Sequence, residues 1–375
     1  MRTRRSLLAA GVAGLAGVAG CAALPSGRRD GDRAARDDLD AADVDARIGF
    51  VGDLMLGRSV NERWADDDPA GVWGSTLPRL GDLDGLVANL ECCISDRGTQ
   101  WPDKVYYFRS DPSFAIPALA AADASFVSLA NNHVLDYGER ALRDTDTHLT
   151  EAGIAHAGAG TDRESALEPA VFEAGDRTVA AFGLTDQSRE FAAGASTPGT
   201  AFATLDPGRS ATRSLVEAVL DRAAAHDPDL VVASLHWGPN WETEPRAVHE
   251  RFGRWLIERG VDVVHGHSAH VLQGVEVYQG RPIIYDAGDF VDDYVSYQDR
   301  QGVRNKRSAL FELVVRDGDL DELVVEPIEI VDETATLADG EVAEWVRETV
   351  AERSAAFDTA VERTTEGLRI PLGER

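Results

Sequence analysis

Six short apolar runs in this chain each stop at a polar or glycine-containing segment, and helix-like stretches lie between them. Ile48-Gly49-Phe50-Val51 ends in Gly52-Asp53, and Gly85-Leu86-Val87-Ala88 ends in Asn89-Leu90-Glu91. The run over 125–129 ends in Ala130-Asn131-Asn132-His133, and that over 178–182 ends in Gly183-Leu184-Thr185-Asp186. The run over 230–235 ends in His236-Trp237-Gly238, and Val261-Asp262-Val263-Val264 ends in His265-Gly266-His267. Continuous apolar runs of this length read as strands buried on both faces. Helices are predicted over 111–122, 139–152, 209–225 and 245–259, the last with Pro245 in its first turn and Gly260 just past its end. Strands alternating with helices imply an α/β fold with both sheet faces covered. In such folds ligands bind beyond the carboxyl ends of the strands. Polar residues commonly follow strands, so one such end means little. Asp, Glu, Asn and His at several separate ends point to one site.

The richest of these ends lies within 261–294. Three of the nine histidines, His265, His267 and His270, fall within it. A further run, Pro282-Ile283-Ile284-Tyr285, closes in Asp286, Gly288 and Asp289. Imidazoles and carboxylates are the ligands that Zn, Mn and Fe take, so the expected cofactor is a divalent metal. A polar loop with surface histidines is the competing reading, and Gly-His-x-x-His at a strand end favours the metal.

Charge narrows the partners. Sixty-five acidic residues face 37 basic ones, a formal net charge of −28, and the only lysines are Lys104 and Lys306. Such a surface repels nucleic acid and anionic membranes. It resembles the proteins of extreme halophiles; at molar salt the Debye length is about 3 Å, which mutes self-repulsion. Residues 1–21 place Arg4-Arg5 ahead of a weakly apolar stretch over 7–19, a secretory signal rather than a span. Its start resembles a twin-arginine signal. Val18-Ala19-Gly20-Cys21 resembles a lipobox, which implies a lipidated Cys21, a membrane anchor and residence on the outer face of the cytoplasmic membrane. A chance cysteine in a cleaved leader is the alternative. Residues 22–46 read as a disordered tether and 47–375 as one domain. Cys92 and Cys93 are adjacent, too strained to bridge, and read as core packing or, less simply, as thiolate ligands.

Gly52-Asp53, Asn89-Leu90-Glu91, Asn131-Asn132-His133, His236-Trp237-Gly238 and Gly266-His267-Ser268-Ala269-His270 resemble, in order, the motifs of the CapA family. The resemblance covers roughly 47–293. It implies a calcineurin-like metallophosphatase fold of layered sheets flanked by helices, and work on poly-γ-glutamate, or a related anionic polymer or precursor, alongside the membrane machinery that makes it. Compared with the metallophosphatases, Asp53 stands as the first metal ligand and Glu91 as the bridging carboxylate. Asn132, His236, His267 and His270 stand as the remaining ligands, and His133 as a general acid or as a group that supports the ligands. Met55 takes the place of a metal-binding His, and a thioether is a poor ligand for such ions. One strong metal site and a second that is weak or absent are therefore expected, leaving enzymatic activity open. The family has Gly-Asn-Phe where this chain has Gly288-Asp289-Phe290, a carboxylate without an assigned role.

Arg58, Lys104, Arg109 and Glu242 are candidate contacts to the substrate. Lys104-Val105-Tyr106-Tyr107-Phe108 is expected as a strand offering Lys104 and Tyr106 to a ligand anion; a lysine held in an ion pair is the other reading. Trp237, Trp241 and Glu242 either wall a pocket or pack the loop. His148, His156, His226 and His249 are expected at the surface or in caps. Strands over 308–315 and 320–330, joined by Arg316-Asp317-Gly318-Asp319 with its turn signal, and a helix over 341–357 form a C-terminal part, 305–357, that completes the domain whose core motifs span 47–293. Two other functions remain compatible: a general metal-dependent phosphoesterase, and a non-catalytic lipid-anchored binder of an anionic polymer. The export expectation has a direct check in cell fractionation. Lys in place of both Arg4 and Arg5 is expected to hold precursor in the cytoplasm. Cys21→Ser is expected to release the protein or leave it unprocessed; processing and membrane retention like wild type would refute the lipobox.

Overall fold

The computed structural model describes residues 44–296 and 303–373, so Cys21 and the leader lie outside the described residues. The first strand, Val44–Leu54, starts ahead of the expected boundary at residue 47. Ala46 is fully buried and Asp45 is ion-paired with Arg177, so these residues belong to the domain.

Val44–Leu54, Gly85–Leu90, Ala124–Ser128 and Ala155–Ala157 run parallel, side by side, at the heart of a ten-stranded sheet. On the other side of Val44–Leu54 lies the antiparallel hairpin of Arg307–Arg316 and Asp319–Val331. Its turn holds Asp317 at φ 51° and Gly318 at φ 86°, the left-handed pair that a tight two-residue hairpin needs. A six-stranded sheet has four parallel strands at its centre: Arg281–Ile284, Val263–His267, Leu230–His236 and Arg177–Thr185.

The two sheets pack face to face. Phe50, Val87 and Phe126 of the first share a buried cluster with Val179, Val232, Val263 and Ile284 of the second. Outside the first sheet, Phe114 and Leu119 of the helix Pro112–Ala121 and Leu142 and Leu149 of Gly138–Ala152 cover Val51, Leu86 and Val127. Outside the second, Val216 and Val219 of Ser210–Ala224 and Phe252 and Leu256 of Ala247–Glu258 cover Ala233, Leu235 and Val264. The order helix, sheet, sheet, helix is the layered α/β class expected, and it buries both faces of the parallel strands. The helix Gly340–Ala355 adds Val346 and Val350 to the inter-sheet core. Cys92 and Cys93 are free and buried, as core packing requires. Among the described residues, no helix is long and apolar enough to cross a membrane.

Three expectations need correction. Pro245 precedes the N-cap, Arg246, and the helix begins at Ala247. Residues 104–108 form a loop rather than a strand, with Val105 81% and Tyr106 63% exposed. Asp136 captures the loop at both ends, by pairing with Lys104 and by accepting from the Phe108 N–H (2.6 Å), so no strand ladder forms. His249 is buried rather than superficial: it stacks on Trp237 and lies 3.2 Å from Asp186.

The strand end that carries Asp53 is crowded. The Asp53 N–H donates to Gly288 O (3.1 Å), and a Cβ added at Gly52 would sit 1.7 Å from that same oxygen. Gly52→Ala must therefore push two backbones apart. We expect it to lower stability by about 1–3 kcal/mol, measured by chemical unfolding.

Candidate metal centre

Five strand ends, drawn from both sheets, converge on one buried cluster. Val44–Leu54 brings Asp53; Gly85–Leu90 brings Asn89 and, one residue on, Glu91; Ala124–Ser128 leads into Asn131, Asn132 and His133. From the facing sheet, Leu230–His236 ends on His236, and Val263–His267 ends on His267 and leads to His270. Asp53 and Glu91 are fully buried, and His236, His267 and His270 are nearly so.

The contacts fall into two halves that share Asp53. In the first, His267 Nδ1 lies 3.3 Å from Asp53 Oδ1 and 3.0 Å from His236 Nδ1. Asn132 Oδ1 is 2.8 Å from His236 Nε2. Asn89 Nδ2 donates to Asp53 Oδ1 (2.7 Å), and Asn131 Nδ2 donates to Asn89 Oδ1 (3.1 Å). Ser234 Oγ sits between His267 Nε2 (3.0 Å) and His265 Nδ1 (3.2 Å), which leaves His267 Nδ1 facing the cluster. His265 is no ligand: its Nε2 faces Val51 O (2.9 Å), so it buttresses the first sheet. In the second half, His270 Nδ1 lies 3.3 Å from Asp53 Oδ2 and 2.8 Å from Asp289 Oδ1. Tyr294 OH donates to Glu91 Oε2 (2.9 Å). The loop between the histidines is strained, with Ser268 at φ 110° and His270 at φ 58°; Asp286 secures it by accepting from the Ala269 N–H (2.6 Å).

Electrostatics follow from burial and crowding. Burial opposes charge on Asp53, but the facing His267 and His270 imidazoles outweigh it and hold the carboxyl well below the usual range. Burial, and then the Asp53 charge, push Glu91 well above its usual range. Desolvation lowers His133 to about 4 against the pull of Asp136, whose Oδ2 is 2.6 Å from His133 Nδ1. His133 stacks on Phe108 at 3.7 Å and turns Nε2 toward Glu91 Oε1, 4.0 Å away.

Asp53 Oδ2, Glu91 Oε1 and Asp289 Oδ2 are buried without a hydrogen-bond partner among the described residues. Buried polar atoms in folded proteins are nearly always paired. Three unpaired carboxylate oxygens beside facing imidazole nitrogens suit a cation, and the mixed oxygen and nitrogen donors suit Mn, Fe or Zn. Among the described residues, two groups have ligand atoms all within 4.8 Å of one another: Asp53, His236 and His267; and Asp53, Glu91, His270 and Asp289. The second group includes Asp289, the carboxylate left without an assigned role in the sequence. Sequence reasoning also passed over Asn89, Asp136, Ser234 and Tyr294. Asp136, three residues past His133, was the most visible of them.

The expected substrate contacts divide. Arg58 pairs with Asp293 (3.1 Å) and lies 5.5 Å over Phe108, next to His133; Arg109 lies 4.0 Å over Tyr137. Lys104 is committed to Asp136 and the Asn132 carbonyl, the ion-pair alternative. Glu242 is exposed, and its carbonyl accepts from Gln273; its neighbour Trp241 is the residue that meets His270, at 5.3 Å. Trp237 packs the loop, donating to Tyr285 O (2.8 Å).

Residues 47–294 match the family profile described as bacterial capsule synthesis protein PGA_cap. A probable polyglutamine synthesis accessory protein of Mycobacterium tuberculosis is 33% identical over 301 residues, covering 77% of this chain and 78% of its own. The PGA biosynthesis protein CapA of Bacillus subtilis is 28% identical, covering 76% and 72%. The capsule biosynthesis protein CapA of Bacillus anthracis is 30% identical, covering 75% and 66%. Among solved structures, a purple acid phosphatase of yellow lupin aligns over 78% of this chain and 52% of its own at 10% identity and a TM-score of 0.38, too distant to carry weight.

Ser234→Ala would leave His265 Nδ1 and His267 Nε2 without the hydroxyl they share. We expect a loss of about 1–3 kcal/mol in unfolding free energy, as for other buried polar groups stripped of a partner.

Proposed function

This chain belongs to the bacterial capsule synthesis protein PGA_cap family, and we propose on that premise that it serves at the cell surface in the synthesis or export of a poly-γ-glutamate-like polymer, using a pocket that holds a divalent cation. The observation that carries this reading is one of coincidence. The matched segment, 47–294, contains every side chain of the buried cluster, from Asp53 to Asp289. Asp53, His236 and His267, with Asn132 and Glu91 beside them, would hold a Mn, Zn or Fe ion. When bound, such an ion supplies Lewis-acid polarisation of a ligand oxygen.

The chain's own groups complete the pocket. Asp136 pins His133 Nδ1, so that Nε2 is the atom left to hold or deliver a proton at the Glu91 side. Arg58 and Arg109 supply positive charge around Phe108 and Tyr137, where a chain of carboxylates needs it. Trp241 and Tyr294 pack at right angles and wall off His270. The His133–Asp136 pair favours a hydrolytic or transfer activity over simple gripping, which keeps a metal-dependent phosphoester-type reaction as the second reading. The acidic surface disfavours nucleic acid as a partner and suits a salt-rich exterior. Arg4-Arg5 and Cys21 support export and a lipid anchor, which would place the pocket beside membrane-bound synthesis machinery.

The test pairs genetics with metal analysis. Deleting the gene in its host is expected to remove most cell-bound γ-linked glutamate polymer. Wild type should restore it and His236→Ala/His267→Ala should not. Purified wild type should retain tightly bound divalent metal that the double variant loses. Polymer unchanged by the deletion would refute the function. Stoichiometric metal held equally by the double variant would refute the cation.

A further inference from the structure

Asp289 is the residue that neither the motifs nor the expected ligand set accounts for. It opens the short strand Asp289–Val291, which pairs in parallel with Val44–Leu54 so that Asp289 stands directly beside Asp53. Neighbours in register present their side chains to the same face of a sheet. The two carboxyls accordingly flank one imidazole: His270 Nδ1 is 2.8 Å from Asp289 Oδ1 and 3.3 Å from Asp53 Oδ2. Glu91 Oε1 closes the group 3.9 Å from His270 Nε2. All four side chains are at least nine-tenths buried. One oxygen on each of the three carboxyls has no hydrogen-bond partner among the described residues.

Burial opposes charge on His270, but Asp289 and Glu91 outweigh it and favour the imidazolium, one positive charge among three carboxyls; the nearby lysines are committed elsewhere. Lys306 is paired with Asp292, and Lys104 with Asp136. Three carboxylates cannot share this volume as bare ions, because each loses its hydration. They can be protonated, or they can share a dication. One proton shared between two of these oxygens would still leave the third without a partner. A dication satisfies all three oxygens at once.

We propose that Asp289 is a metal ligand, so that Asp53, Glu91, His270 and Asp289 form a second divalent-cation site beside the Asp53, His236 and His267 site. This rests on the metal reading above and extends it from one competent ion to two. Asp289 supplies, from a different strand, a carboxylate that the expected ligand set lacks. Three carboxylates and one imidazole select a hard ion of the Mn²⁺ class, whereas the histidine-rich neighbour tolerates softer ones. Asp53 serves both ions. A role limited to orienting His270 is the competing function for Asp289, and the two differ in what asparagine does. Asparagine keeps an oxygen for the His270 N–H but removes the anionic ligand.

The experiment is a Mn²⁺ titration of metal-stripped full-length protein, with bound Mn counted by mass spectrometry and its environment read by electron paramagnetic resonance. Wild type is expected to hold two Mn per chain, with the broadened spectrum of exchange-coupled ions about 4 Å apart, the usual spacing of two-metal sites. Asp289→Asn is expected to hold one, with the resolved hyperfine pattern of an isolated ion. Two ions retained in both Asp289→Asn and Asp289→Ala would reduce Asp289 to a positioning residue and overturn the proposal. One ion in wild type, with an uncoupled spectrum, would overturn it without needing any variant to fold. No tight Mn²⁺ in wild type would overturn the metal reading itself, a distinguishable failure.

Discussion

Buried negative charge sets the terms for the rest of this structure. Asp53, Glu91, Asp286, Asp289 and Asp292 lie together at the strand ends, each 1% exposed or less. Withdrawing an ionised carboxylate from water costs several kcal/mol even after the protein relaxes. Each of three carboxyls on the rim has a partner, although Asp292 keeps one oxygen unpaired among the described residues. Asp292 meets Lys306, Asp136 meets Lys104, and Asp286 accepts N–H bonds from Ala269 and Gly288. The chain has no lysines beyond these two, and both stand at this rim. At the centre, Asp53, Glu91 and Asp289 keep unpaired oxygens, and the histidines around them offer ring nitrogens. A cation is the simplest object that resolves the imbalance.

Backbone geometry makes the concentration of charge possible. Parallel strands from both sheets deliver their carboxyl ends to one side, and the sheets face each other closely enough for His265 of one to reach Val51 O of the other. Close approach demands residues without side chains. A Cβ at Gly52 would strike Gly288 O, and one at Gly266 would lie 2.2 Å from Tyr285 O. Strain at Ser268 and His270 is the local cost of turning the second histidine back into the cluster, and Asp286 holds that turn. The same fixed scaffold sets the dyad of Asp136 and His133 at the edge of the ligand group, so positioning, proton handling and cation binding rest on one set of strand ends.

Much of this was legible in the sequence, for reasons that can be named. Strands buried on both faces must be apolar throughout, and the runs at 230–235 and 178–182 are strands in the structure. Helices at 139–152 and 209–225 fall within one residue of expectation at each end. Asp53, Glu91, Asn132, His236, His267 and His270 converge because they lie at the ends of five strands, His267 and His270 sharing one. What the sequence hid depends on register between distant segments. Nothing local to Asp289 shows that its strand docks beside Asp53. Residues 104–108 alternate like a strand, yet Asp136, far along the chain, takes Lys104 and the Phe108 N–H and holds them as a loop. Glu242 looked like a pocket residue because it follows His236 closely; a left-handed Trp241, at φ 69°, turns the indole rather than the carboxylate toward His270.

The central claim is that the buried carboxylate and histidine cluster is a cation centre, and anomalous diffraction tests it most directly. Crystals grown with Mn²⁺ would be measured on both sides of its absorption edge. The account predicts anomalous peaks in bonding contact with Asp53, one also touching His236 and His267 and one also touching His270 and Asp289. A well-ordered cluster without any peak, its carboxyl oxygens met by water or by each other's protons, would contradict it.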